Sequence, residues 1–84
     1  MKKGDYAMPE VKHEIKKHFG FLSENKRGWK KEVNLVSWND REAKYDIREW
    51  SEDHEKLGRG ITFNAEEIVK LKAILDAIDL NELS

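Results

Sequence analysis

Hydrophobic positions along this chain recur with two periods, and the change from one to the other falls at Asn64. Upstream the period is two, as in strands whose faces differ; downstream it is three to four, as in an amphipathic helix. In residues 10–23, Val11, His13, Ile15, Lys17, Phe19 and Phe21 share one parity, with Gly20 placed for a bend or bulge. Val11, Ile15 and Phe19 also lie at i, i+4 and i+8, so a helix competes there. Continuation of the run through Gly20 into Phe21 and Leu22 favours a strand. Residues 23–28 (SENKRG) form a polar turn ending in glycine. Residues 29–38 alternate cleanly, with Val33 and Leu35 on one face and Asn34, Val36 and Trp38 on the other. Residues 39–42 turn the chain, and residues 43–50 set Tyr45 and Ile47 opposite Lys44, Asp46, Arg48 and Trp50. A charged connection over residues 51–57 and the Gly58-Arg59-Gly60 triplet lead into a brief strand, residues 61–63.

Asn64 then opens a helix. It is a good N-cap, Glu67 stands three residues on as a capping-box partner, and Glu66 and Glu67 suit the positive end of the dipole. Ile68, Leu71, Leu75 and Ile78 form an apolar stripe that Val69, Ala73, Ile74 and Ala77 broaden. The stripe is wider than a small sheet needs. Ile68, Leu71, Ile74, Leu75 and Ile78 are therefore the expected interface of a homodimer, with filling of a monomer core as the alternative. The order is β-β-β-β-α, an α+β chain. Residues 1–9 read as a leader, 10–80 as a single domain and 81–84 as a tail.

An 84-residue chain buries only about 60–65% of its unfolded surface, so its core is modest and a partner subunit would enlarge it. Absence of cysteine excludes disulfides, a thiolate nucleophile and any sulfur-ligated zinc site. No apolar run approaches the roughly 20 residues of a membrane span, and no signal peptide follows residues 1–5. The expectation is a cytoplasmic, nucleoid-associated protein. Net charge is −1, yet residues 1–31 hold nine Lys/Arg against four Asp/Glu, and residues 32–84 seven against thirteen. Phosphates respond to the local field, so such a dipolar chain can still present a basic groove.

Residues 29–50 mix tryptophan with basic residues on alternating positions. Trp38 ends one strand and Trp50 the next, beside Lys44 and Arg48; Lys26, Arg27, Lys30 and Lys31 cluster at the preceding turn around Trp29. Rings that stack bases, interleaved with cations that hold phosphates, are the chemistry of single-stranded nucleic-acid binding. Lys30 and Lys31 fall on opposite faces of a regular strand. Gly58-Arg59-Gly60 brings one arginine and a close backbone to the same region, although it matches no phosphate-loop pattern. Catalysis is not supported. His13, His18 and His54 lack metal-ligand spacing, Asp46 and Glu49 lie on opposite faces, Ser37 and Ser51 have no base, and Asp53-His54-Glu55 reads as a charged turn. No cofactor or metal is expected.

The segment YDIREW, a polar stretch, and then GRGITFNAEEIVKLKAIL is similar to the transcriptional-coactivator (positive-cofactor, p15-type) single-stranded-DNA-binding family. Residues 20–62 resemble its small bacterial YdbC-type branch, and the similarity spans residues 11–79. The resemblance implies a curved four-stranded antiparallel sheet followed by one helix, and a dimer joined through the helices, each sheet facing a DNA strand. It implies groove residues at or near Lys30, Trp38, Arg48 and Arg59, with Ile47 and Glu49 holding the sheet. The regulatory tail of eukaryotic members is missing, and Asn39-Asp40-Arg41-Glu42 replaces their Gly-Lys turn. The expected function is sequence-independent binding of single-stranded DNA by a homodimer, through Lys26, Arg27, Trp29, Lys30, Lys31, Trp38, Lys44, Arg48, Trp50 and Arg59, in association with transcription or DNA maintenance. Two alternatives use the same face: docking of a protein partner such as the transcription machinery, and single-stranded RNA.

Overall fold

The computed structural model describes residues 12–83. Four strands, β1 (His13–Glu24), β2 (Lys30–Trp38), β3 (Lys44–Trp50) and β4 (Leu57–Phe63), precede a helix, α1 (Ala65–Ala77), and one 3-10 turn, Leu80–Leu83. The strands form one open antiparallel sheet in chain order, β1-β2-β3-β4. From His13 onward the first segment is a strand, so the competing helix does not form. The expected leader over residues 1–9 and the start of the first strand at residue 10 lie outside the described residues. The 3-10 turn takes up most of the segment expected as a tail.

Turn chemistry sets the registers. Asn39 and Asp40 adopt φ of +53° and +63°, the primed hairpin conformation that matches strand twist and that Asn and Asp tolerate. The Arg41 amide donates to the Trp38 carbonyl at 2.9 Å. Lys12 ties this turn to β1: its amide donates to Asn39 Oδ1, and its Nζ pairs with Asp40 at 2.8 Å, which raises the lysine pKa. At the β1–β2 turn, Asn25 Oδ1 accepts from the Arg27 and Trp29 amides, and Gly28 supplies φ +85°. Three register shifts run along β1, one between His18 and Gly20 where a bulge was expected. Bulges twist an edge strand and blunt its pairing with other chains.

The β3–β4 loop is ordered by polar bonds. Ser51 Oγ donates to Asp53 Oδ1 at 2.8 Å, the Glu55 amide donates to the same oxygen, and the Lys56 amide donates to Ser51 Oγ. The Glu55 amide first, and the Ser51 hydroxyl second, hold the Asp53 carboxyl below its ordinary value of 3.8. A group with a lowered folded value supports the loop at neutral pH and loses that support as pH falls through the lowered value. An acid titration followed at the Glu55 amide resonance is expected to have its midpoint below 3.8; a midpoint at or above it would mean that the bond does not hold in solution.

The fourth strand starts at Leu57, four residues before the expected one. Gly60 pairs with Arg48, and a Cβ there would lie 2.5 Å from both Arg48 Cβ and the Ile47 carbonyl oxygen. Glycine at position 60 therefore serves the close approach of two strands.

Register distributes the side chains on two unlike faces. Lys30, Glu32, Asn34, Val36 and Trp38 share one with Trp50, Arg48, Asp46 and Lys44, with His13, Ile15, His18 and Phe21, and with Gly60 and Thr62. Val33, Leu35, Tyr45, Ile47, Ile61 and Phe63 occupy the other. Among the described residues, the fully buried apolar side chains are Val36 and Trp50, and both belong to the first face. The helix is capped as the sequence predicts, with Glu67 N–H to Asn64 Oδ1 at 2.7 Å and Asn64 N–H to Glu67 Oε1 at 2.9 Å. It meets the sheet only at β3 and β4 and buries none of its residues. Ile68 and Leu71 are half-buried; Ile74, Leu75 and Ile78 stay exposed, as do Phe19 and Ile61.

Candidate nucleic-acid interface

Hairpin pairing brings the ends of β2 and β3 and the start of β1 into one aromatic cluster. Trp38 stacks on Trp50 with ring planes 11° apart and centroids 6.4 Å apart. His13 lies against both, at 6.1 Å and 4.9 Å, and His54 abuts Trp50 at 5.7 Å. Trp50 is completely buried, whereas Trp38 is half-buried. The Arg48 guanidinium lies 5.0 Å from the Trp38 ring centroid. Trp38, Arg48, Leu57 and Thr62 line a shallow depression here. The indole N–H groups of Trp38 and Trp50 and His13 Nδ1 are buried without a hydrogen-bond partner among the described residues. Unpaired buried polar atoms cost about 1–3 kcal/mol each, and here all three sit in one cluster.

Beneath the rings runs a buried polar network. Asp46, fully buried, accepts from Arg48 Nε (3.1 Å) and Nη2 (3.0 Å) and from Thr62 Oγ1 (2.8 Å), while Arg48 Nη1 donates to the Gly58 carbonyl. Across the pair, Asn34 donates from Nδ2 to Glu32 Oε1 at 3.0 Å. His18 Nδ1 meets Asn34 Oδ1 at 2.7 Å, and His54 Nε2 meets Glu32 Oε2 at 2.8 Å. The amide oxygen of Asn34 only accepts, so His18 Nδ1 carries the proton of that bond. His54 reaches this position from a left-handed backbone, φ +62°. Both carboxylates are thus turned inward and occupied. Lys30 and Lys44 on the same face take part in no ion pair among the described residues. Around the rings the face offers aromatic and cationic groups; exposed Glu24, the register partner of Lys30, is the acid at its far end.

Comparison with known proteins places this geometry in context. The family model of the Transcriptional Coactivator p15 (PC4) matches residues 25–74, which run from the first turn through most of α1. The chain belongs to the transcriptional coactivator p15 (PC4) family. This is a non-enzymatic family of single-stranded-DNA-binding, coactivator-type proteins. A Treponema pallidum (strain Nichols) protein described as an uncharacterized protein is 39% identical over 80 residues, covering 95% of this chain and 94% of that protein. Among the described residues, no group of histidine and carboxylate side chains could hold a metal ion, and no helix is long and apolar enough to cross a membrane.

The ten basic and aromatic residues singled out in the sequence separate into three places. Lys30, Trp38, Lys44, Arg48 and Trp50 share the aromatic face. Trp50 does not present a ring to solvent, because Trp38 and His13 close over it; it is the floor on which Trp38 rests. Arg48, only 15% exposed at its side chain, is engaged by Asp46 and is less free for phosphate than its sequence position suggests. Lys31 and Arg59 line a different depression with Ile47 and Glu49. Arg27 and Trp29, 5.6 Å apart, belong to a third, with Ser51, Glu52, Asp53 and Lys56, and Lys26 is exposed in the adjoining turn.

Residues the sequence reading passed over complete the aromatic face. All three histidines of the chain lie on it. His13 and His18 fall on opposite parities, and only the bulges of β1 bring both to one face. His54 reads as part of a charged turn, and nothing in its neighbours signals a bond to Glu32, 22 residues away. Phe21, on the parity of His13 and Ile15, stands opposite Glu32, with Lys30 Nζ 4.9 Å from its ring centroid.

Proposed function

We propose that this protein is a homodimer that binds single-stranded DNA with little regard to sequence, stacking bases on Trp38 while Lys30 and Lys44 contact phosphates. One observation carries the reading: a half-buried Trp38 stacked on buried Trp50, flanked by Arg48, on a face where the carboxylates nearest the rings, Asp46 and Glu32, are hydrogen-bonded. A ring fixed in this way loses little freedom when a base stacks on it, and stacking accepts every base, which explains weak sequence preference. Duplex DNA keeps its bases paired and offers no free ring face. Lys26, Arg27 and Trp29 extend the contact beyond the end of the sheet. The role in the cell is transcription or DNA maintenance in a bacterium, in keeping with the bacterial relative.

Anisotropy of a labelled dT oligonucleotide of about 20 nucleotides tests the binding. Trp38→Ala is expected to weaken it about tenfold, the worth of one stacked base. Because Trp38 is not part of the fully buried core, the fold should survive. Unchanged affinity would remove Trp38 from the interface. Affinity should fall with added salt as phosphate contacts are screened.

The dimer rests on the apolar residues left uncovered on α1 and on the second sheet face. Ile68, Leu71, Ile74, Leu75 and Ile78 form its core, since a lone chain leaves the last three in water and the first two only half-covered. Sedimentation of the protein at micromolar concentration is expected to give twice the chain mass of 9.9 kDa. A mass near 9.9 kDa would refute the dimer without touching the DNA reading.

A further inference from the structure

The geometry points to a second base-stacking station at Phe21, at the far end of the same face, so that one single strand is held at both ends of the sheet. This inference rests on the DNA-binding role proposed above and adds a residue and a length to it.

Phe21 is 54% exposed, an unusual position for a phenylalanine in a chain with so small a core. Its neighbours on β1 have a different setting. Phe19 stacks on Tyr45 (5.9 Å, 21°) on the opposite, apolar face, which is the one proposed for dimerisation. Phe21 is turned away from that surface by its register with Glu32. It lines a cavity of about 400 Å³ with Ile15, His18, Lys30, Glu32 and His54. No second layer of the chain covers this cavity among the described residues.

The motif at this end repeats the one at the other. At the first station a cation, Arg48, lies 5.0 Å from the Trp38 ring; at the second, Lys30 Nζ lies 4.9 Å from the Phe21 ring. Each pair offers a ring for a base with a positive charge beside it for the adjoining phosphate. Lys30 is unpaired with any carboxylate among the described residues, and Glu32 is occupied by Asn34 and His54. A phosphate at this end therefore meets an available cation beside an acid, Glu32, whose oxygens are already hydrogen-bonded. Glu32, the register partner of Phe21, stands six positions before Trp38 on β2. At a strand rise of about 3.3 Å the stations are roughly 20 Å apart. With about 3.4 Å per nucleotide of a stacked strand, that distance corresponds to about six nucleotides, and to fewer in an extended one.

Two linked stations make affinity depend on length, because the second contact becomes intramolecular once the oligonucleotide can reach it. The test compares dT oligomers of about 3 and about 12 nucleotides on wild type, Phe21→Ala and Phe21→Trp. Phe21→Ala is expected to weaken binding of the longer oligomer by about tenfold and that of the shorter by at most about twofold, since the Trp38 station remains for it. Phe21→Trp should restore or exceed wild-type affinity for the longer one. Equal affinity of wild type and Phe21→Ala for the longer oligomer would overturn the second station while leaving Trp38 as the binding site. So would equal loss on both lengths, or failure of tryptophan to restore binding. If wild type bound neither oligomer, the DNA-binding role itself would fall. Circular dichroism and thermal unfolding of Phe21→Ala, matched to wild type, verify that the exposed ring is not needed for the fold.

Discussion

Replacing Gly60 with alanine is expected to destabilise the domain by about 3 kcal/mol or more, among the largest effects open to a single methyl group. The new Cβ would meet Arg48 Cβ and the Ile47 carbonyl oxygen at 2.5 Å and Arg48 Cα at 2.7 Å. Two of these three atoms are backbone, so no change of rotamer relieves the contact and β4 must move away from β3. That separation breaks the pairing that also delivers the Gly58 carbonyl to Arg48 and Thr62 to Asp46. In a domain of this size each kcal/mol shifts Tm by about 4–8 °C, so a fall of about 15 °C or more is expected at fixed protein concentration. Gly58→Ala is the control. Its Cβ would meet Glu49 and Trp29 side-chain atoms at 3.3 Å, and side chains can yield by a few tenths of an ångström. A loss for Gly60→Ala no greater than that for Gly58→Ala would mean that the close strand approach does not hold in solution.

The same glycine shows where sequence reasoning ran out. Alternation in residues 29–38 and 43–50 places every β2 and β3 side chain on its observed face, because a period of two admits no other arrangement once both strands are regular. The helix start is legible for a similar reason: Asn64 and Glu67 satisfy each other's amides locally, with no help from distant residues. Gly58-Arg59-Gly60 was ambiguous because glycine permits close approach without stating to what. The identity of the approaching group, Arg48, is set by the β3–β4 register. Trp50 was misjudged by the same limit. Parity assigns it to the aromatic face but cannot say that Trp38 and His13 close over it. The bulges of β1 hid His18 and moved Lys17 to the other face, since each bulge resets the parity on which a strand is read. Family resemblance supplied Lys30, Trp38 and Arg48 as a set; only the side-chain geometry shows Arg48 held from below by a buried acid.

That acid carries the second large prediction. Asp46→Ala is expected to cost about 3–5 kcal/mol, because it leaves the Arg48 charge largely buried without its partner. The pair is bidentate, with Nε and Nη2 on separate carboxylate oxygens, and Thr62 adds a third bond to the same group. Alanine removes all three acceptor contacts and frees the guanidinium that now lies on the Trp38 ring. Two consequences follow and they can be separated. Stability should be restored in large part by pairing Asp46→Ala with Arg48→Met, which removes the unpaired charge and keeps an apolar stem against the ring. Single-strand affinity should not be restored to the same degree, because the cation beside Trp38 is then gone. Urea unfolding of the four species of this cycle, with dT binding measured on each, distinguishes a purely structural pair from one that also prepares the Trp38 surface. If the double variant were no more stable than Asp46→Ala alone, the buried charge would not be the source of the loss. If it bound DNA as wild type does, the arginine would be only a strut for the sheet, and stacking on Trp38 would need no cation beside it.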